Sequence, residues 1–181
     1  GVDQAGRLAE LTGMYFAYGR AMHYSGGEYG EAILSRFPIK KSWVHALPFR
    51  YGQEARAALV VEVEPGRGIP RLHFAGTHLC HQSGETRLEQ ASQLHALLAD
   101  SADDVPVLLA CDLNARPNSK PITALIDGGW VDAVAPKSRI DYVMYRRRDP
   151  WRVVEATVVP EDVASDHRPV VVDLQWLPDS K

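Results

Sequence analysis

Two cysteines in 181 residues, Cys80 and Cys111, are too few for a disulfide framework and lack the spacing of a thiolate metal site. The fold must therefore be held by its core, and each cysteine reads as a small buried apolar side chain. Missing as well is any apolar run long enough to span a bilayer, and the opening residues carry no signal-peptide pattern. Neither absence assigns a compartment. There is no basic excess: 20 Lys and Arg against 23 Asp and Glu give a net charge of −3, and basic and aromatic residues do not interleave. That balance disfavours a dedicated DNA-repair nuclease without excluding an anionic substrate, because a metal cluster supplies positive charge locally. No internal repeat, linker or low-complexity stretch is present.

What is present is a chain with 45% hydrophobic and 24% charged residues, enough for one core and one domain spanning residues 1–181. Asp3–Gly13 has an acidic start, Ala5, Leu8 and Ala9 at helical spacing and a closing glycine, and reads as a surface helix. Met14–Met22 carries aromatics suited to a strand. Ser25-Gly26-Gly27-Glu28 then turns the chain into a second strand, Tyr29–Ser35, which Pro38 ends. Trp43–Leu47 and Ala55–Glu64 are further strands, the second alternating toward Glu62 and Glu64 as a strand leaving a core does. Leu72–Gly76 leads into Thr77-His78-Leu79. A helix over Gly84–Ala99 places Leu88, Ala91, Leu94, Leu97 and Leu98 on one face.

Val105–Cys111 has no polar face, which implies cover on both sides, and it delivers Asp112-Leu113-Asn114 at its end. Ser119-Lys120-Pro121 opens another helix that Gly128-Gly129 closes. Arg139–Tyr145 is a strand holding one acid, Asp141, and Arg146-Arg147-Arg148 reads as a solvated turn. Val153–Val159 is a strand. The apolar β-branched run Val170–Leu174 reads as a buried one, with Asp166-His167 just before it. Strands apolar on both faces, with helices between some of them and hairpin turns between others, imply a mixed sheet sandwich with helices outside.

Strand ends thus offer His78, then Asp112 with Asn114, then Asp141, then Asp166 with His167. Phosphoester hydrolysis needs a hard divalent cation, oxygen ligands, a group that orients water and donors for the charge developing on phosphorus, and this set contains each type. Carboxylates and an amide oxygen suit Mg²⁺ or Mn²⁺ better than zinc. Asp141 is the acid that would fix the tautomer of His167. His23, His45, His73, His81 and His95 belong to no motif and read as structural or exposed.

Thr77-His78-Leu79, Asp112-Leu113-Asn114, Ile140-Asp141-Tyr142 and Ser165-Asp166-His167, in that order with strands between, resemble the endonuclease/exonuclease/phosphatase superfamily. That superfamily includes pancreatic-type deoxyribonucleases, abasic-site endonucleases, sphingomyelinases and inositol phosphatases. Tyr29–Arg36 is similar to a segment of its bacterial members. The resemblance implies a four-layer α/β/β/α sandwich of two mixed sheets with the site where the sheets open. It implies metal-dependent phosphoester hydrolysis, of a phosphodiester by preference, on a nucleic acid, lipid headgroup or small molecule. Asp112 would orient or deprotonate the attacking water, with Asn114 positioning it or the phosphate. Asp166, Asp112 and Asn114 would hold Mg²⁺ or Mn²⁺, His167 braced by Asp141 would stabilise charge on the phosphate, and His78 would contact the phosphate or assist the leaving group.

Members of the superfamily normally begin with a strand ending in asparagine, a helix, and a strand ending in a metal-binding glutamate. The present sequence starts at what resembles the following helix, so an N-terminal strand–helix–strand of roughly 30 or more residues is absent from it. A fold lacking those strands has unpaired sheet edges, and self-association through them is expected. The same departure supports an alternative, a non-catalytic domain that binds phosphate ligands or a partner protein. Glu10, Glu28 and Glu31 are candidates to replace the lost ligand, and spacing singles out none.

Overall fold

A computed structural model of the chain describes residues 1–99, 105–134 and 139–177. The elements run α1 (Gln4–Thr12), β1 (Tyr15–Tyr24), β2 (Gly27–Ser35), β3 (Ile39–Leu47), β4 (Arg56–Val63), β5 (Leu72–His78), α2 (Gly84–Ala99), β6 (Val107–Asp112), α3 (Lys120–Asp127), β7 (Trp130–Asp132), β8 (Asp141–Arg146), β9 (Trp151–Val158) and β10 (Val170–Trp176). The punctuation read from sequence sets α1. The Asp3 carboxylate accepts from Gly6 N at 3.0 Å, and Gly13 closes the helix in the left-handed region at φ 66°.

One six-stranded sheet, ordered β3-β4-β5-β6-β8-β7, forms the middle of the molecule. Only β5 and β6 pair in parallel, and α2 makes the crossover that a parallel pair requires. Alternation along the strands sends Ala75, Leu109, Cys111, Tyr142 and Met144 to one face, under Ala91, Leu94 and Leu98 of α2 and Ile122 and Leu125 of α3. The other face, with Leu72, Phe74, Leu108 and Tyr145, meets two antiparallel ribbons, β1–β2 through Ile33 and β9–β10 through Trp151, Leu174 and Trp176. α1 lies against the first ribbon with Ala5 and Ala9 buried. The layers are therefore helix, sheet, ribbons, helix, the α/β/β/α order expected from the resemblance. Among the described residues the two ribbons do not pair with each other. Within these residues no helix is long and apolar enough to cross a membrane.

Three expectations are corrected. β4 does not leave the core: all of its residues are buried, including Glu62 at 5% exposure. Its alternation came from an acid that finds its partners locally, the cations Lys41 Nζ at 3.6 Å and Arg71 Nη1 at 3.4 Å and the His73 ring Nε2 at 3.5 Å. β10 is not buried but alternates between half-buried and exposed, with Val171 at 50%, because one of its faces stays open; among the described residues β9 is its one strand neighbour. Arg146 is not solvated: it ends β8 at 4% exposure, and its Nε and Nη2 hold both oxygens of Asp149 at 2.9 Å. Asp149 Oδ2 also accepts from Val107 N at 2.9 Å, so this buried pair ties β8 to the start of β6. Arg147 and Arg148 are exposed as expected, and both cysteines are free and buried.

Candidate active site

Strand register alone assembles half of the site. His78 ends β5 opposite Asp112, which ends β6, and Asp112 lies opposite Asp141, which opens β8. Directly opposed residues share a face, so the three side chains form one row across three adjacent strands. The phase of the alternation decides which face. His78 is in phase with Leu72 and Phe74, Asp112 with Leu108, and Asp141 with Tyr145, all of which point to the ribbons. The row thus opens into a cleft of about 480 Å³ between the sheet and β2, lined also by Glu31, Ile33, His167 and Pro169.

Asn114 enters through a local turn. Its backbone N–H donates to Asp112 Oδ1 at 2.8 Å, and its φ of 46° is a left-handed conformation that asparagine tolerates. Its Nδ2 donates to Leu79 O at 3.0 Å and faces His78 Nε2 at 2.9 Å. The carbonyl fixes which end of the amide is nitrogen, so Nε2 is the acceptor and Nδ1 of His78 carries the proton. That proton points to Tyr29 Oη at 2.9 Å, and the same oxygen accepts from Arg56 Nη1 at 2.9 Å. Burial, then the Arg56 charge, lower the His78 pKa against the pull of Asp112, in keeping with a neutral ring.

His167 comes from the opposite side, on the segment between β9 and β10. Its Nδ1 donates to both oxygens of Asp141 at 3.0 Å and lies 3.9 Å from Asp112 Oδ2. The hydrogen bond to Asp141 raises its pKa, against the smaller effect of burial. Two imidazoles therefore flank Asp112, one biased toward neutrality and one toward charge.

The donor set fits a hard divalent cation. Asp112, Asp141 and His167 each offer a ligand atom within 4.8 Å of the others. His78 Nε2 and Asp112 Oδ2 lie 3.3 Å apart, with the lone pair of Nε2 engaged by the Asn114 amide. Asp166, expected as a ligand, is exposed and lies outside that cluster; it adds negative charge near His167. His78, Asp112, Asn114, Asp141 and His167 lie within one connected set of contacts.

Two contributors were given no role from sequence: Tyr29, which heads the Tyr29–Arg36 segment, and Arg56, which belongs to no motif. Tyr29 reaches His78 across 49 positions of sequence and Arg56 reaches Tyr29 across 27, and only the fold brings them together. Of the three glutamates weighed as a replacement ligand, Glu28 pairs with Arg20 and Glu10 with Arg7 at the surface. Glu31 alone lines the cleft. Burial, opposed by the Arg56 charge and helped by a smaller push from Asp112, brings its pKa to about 7. Gly30 seats both neighbours: a Cβ there would lie 2.0 Å from Gly19 O across the ribbon, so only glycine lets Tyr29 and Glu31 approach the cleft.

The sequence model described as the Endonuclease/Exonuclease/phosphatase family matches residues 2–167. The uncharacterized protein YbhP of Escherichia coli K12 is 32% identical over 107 residues, 59% of this chain and 42% of that protein. The chain thus spans less than half the length of the curated relative it matches. The catalytic domain of human Nocturnin, solved with a bound sulfate anion, superposes with a TM-score of 0.80 at 18% identity, covering 97% of this chain and 77% of the other. A mannosyl-6-phosphatase of Bacteroides thetaiotaomicron VPI-5482 superposes with a TM-score of 0.77, also at 18% identity, over 96% and 81%. At such identities these neighbours establish the fold.

Proposed function

The chain belongs to the endonuclease/exonuclease/phosphatase family, and on that premise we propose that it hydrolyses a phosphodiester with Mg²⁺ or Mn²⁺ bound beside Asp112. The observation that carries the reading is the row His78–Asp112–Asp141, brought together by register and closed by His167. That two fold neighbours are, by name, a sugar-phosphate phosphatase and a domain solved with a sulfate anion agrees with an anion entering this cleft.

Asp112 accepts the proton of the attacking water and aims its oxygen at phosphorus. The new O–P bond forms in line with the ester bond that breaks. Asn114, held by its own turn, fixes the water or a phosphate oxygen. His167, kept protonated by Asp141, donates from its outer nitrogen to the charge that grows on the phosphoryl oxygens. Asp112 hands that proton to His78 Nε2, 3.3 Å away, which gives up the Asn114 bond to take it and delivers it to the leaving oxygen. Asp112 and Asp141 would hold the cation, which when bound would supply Lewis acidity at the phosphoryl group.

The test is hydrolysis of bis(4-nitrophenyl) phosphate by the full chain with Mn²⁺ or Mg²⁺. Asp112→Ala lowers kcat by on the order of 10³-fold with the fold intact by circular dichroism, and a chelator stops turnover. Turnover that resists the chelator rejects the mechanism. Phosphate binding without turnover favours the alternative, a binding domain.

A further inference from the structure

Beyond Asn114 the chain builds a second cleft, of about 600 Å³. Its walls include the first turns of both α2 (Gly84, Arg87) and α3 (Ser119, Lys120), so two helix N-termini face one space. α3 starts without a side-chain cap, since Ser119 makes no capping bond; Pro121 has no N–H and Thr123 N–H goes to Ser119 O, so Lys120 and Ile122 carry the first-turn N–H groups without a helical partner. Three cationic side chains line the cleft: Arg87, Arg116 and Lys120. The acid beside them, Glu85, is already held by Arg50 at 2.8 Å. Arg87 is pinned, with Nη1 donating to Cys80 O at 2.8 Å and His81 O at 3.0 Å. In a chain of net charge −3 this concentration of positive charge is local and specific.

The cleft is also continuous with the catalytic row. Asn114 lines it, and Arg116 and Ile140 line both this cleft and a neighbouring one of about 430 Å³ that reaches Asp141 and His167. A substrate whose ester lies on Asp112 extends past Arg116 into the cationic space.

We propose that this cleft is an anion subsite for a second phosphate of the substrate, next along the molecule from the scissile one. The chemical class is then a phosphoester carrying at least one further phosphate group, and Arg116 and Lys120 select it. For its substrate the proposal rests on the hydrolase reading; for its binding it does not.

Two experiments separate them. In chelator, inorganic pyrophosphate is titrated into the full chain by calorimetry at low ionic strength. Wild type binds, Arg116→Glu and Lys120→Glu each raise Kd by about tenfold or more, and Arg147→Glu, an equal charge change at the opposite end of the sheet, stays within about twofold. Absence of binding to wild type, or equal Kd in all four proteins, overturns the proposal. With Mn²⁺, kcat/KM is compared for a thymidine dinucleotide with and without a 5′-phosphate, and for fructose 1,6-bisphosphate against fructose 6-phosphate. A gain of about tenfold from the extra phosphate in either pair, collapsing toward one in Arg116→Glu, supports the subsite. A gain confined to the nucleotides points to nucleic acid, and a gain in both pairs to the phosphate alone. Turnover with no gain in either pair overturns the subsite while the hydrolase stands, and binding without any turnover overturns the hydrolase while the subsite stands.

Discussion

The two sides of the site are built differently, although both end on Asp112. On one side His78 lies on a central strand, locked by Asn114, Tyr29 and Arg56 into one tautomer, with its pKa lowered by burial. On the other, His167 comes from the exposed segment that joins the two strands of a ribbon, holds to the sheet through Asp141, and has its pKa raised by that bond. The difference teaches that the fold sets protonation by where it anchors each ring. Packing against a cationic neighbour disfavours the imidazolium, whereas one carboxylate partner in a wetter setting stabilises it.

The sharpest way to break this comparison is Asp141→Asn. The amide keeps the shape but removes the counter-charge, so the His167 pKa falls while His78 keeps its own. Turnover drops roughly 10–100-fold, the range for losing a residue that orients a ligand. The measurement is histidine ring NMR across pH in metal-free protein, together with the pH profile of kcat/KM. If both rings move together, the two sides are one coupled unit and the comparison fails.

The converse is Tyr29→Phe, with a smaller effect. It removes the acceptor for both His78 Nδ1–H and Arg56 Nη1, which costs about 1–3 kcal/mol of stability for the groups left unpaired. The His78 proton is then free to move to Nε2, toward Asp112. Ring ¹⁵N shifts report that tautomer change, and His167 should not respond. An unchanged His78 spectrum means Asn114 alone sets the ring, and Tyr29 has no positioning role.

How much of this was readable from residues alone follows the same division. The strand ends were legible because apolar runs stop at polar residues, and register then places His78, Asp112 and Asp141 side by side. The capped α1 and the long amphipathic α2 were legible for local reasons. What failed was burial. The run Val170–Leu174 states that a strand forms but not how many neighbours it finds, and here it finds β9. Glu62 and Arg146 looked solvated because their partners, His73 and Asp149 among them, cannot be paired from spacing. The Tyr29–Arg56 brace escaped for the same reason: hydrogen bonds between distant strands leave no periodic trace.

Glu31 gives the finest test, because it belongs to the buried side but carries the acid of neither histidine pair. Its carboxyl has a pKa of about 7 in the folded chain against 4.5 as its ordinary value, raised chiefly by burial. An acid whose folded pKa is raised retains its proton in the native state where the unfolded chain has lost it. Native stability therefore falls as pH rises from about 4.5 to about 7 and is level above that, by this group's contribution. The full shift corresponds to about 3 kcal/mol, and solvent screening of a half-buried side chain reduces it to about 2. Glu31→Gln cannot lose a proton, so in chelator its urea midpoint should exceed that of wild type at pH 8 and match it near pH 4.5. Groups not coupled to Glu31 titrate alike in the two proteins and cancel from the difference. A gap that is the same at both pH values means that Glu31 ionises as freely as it does in water, and that the cleft wall beside Asp112 is as wet as the His167 side.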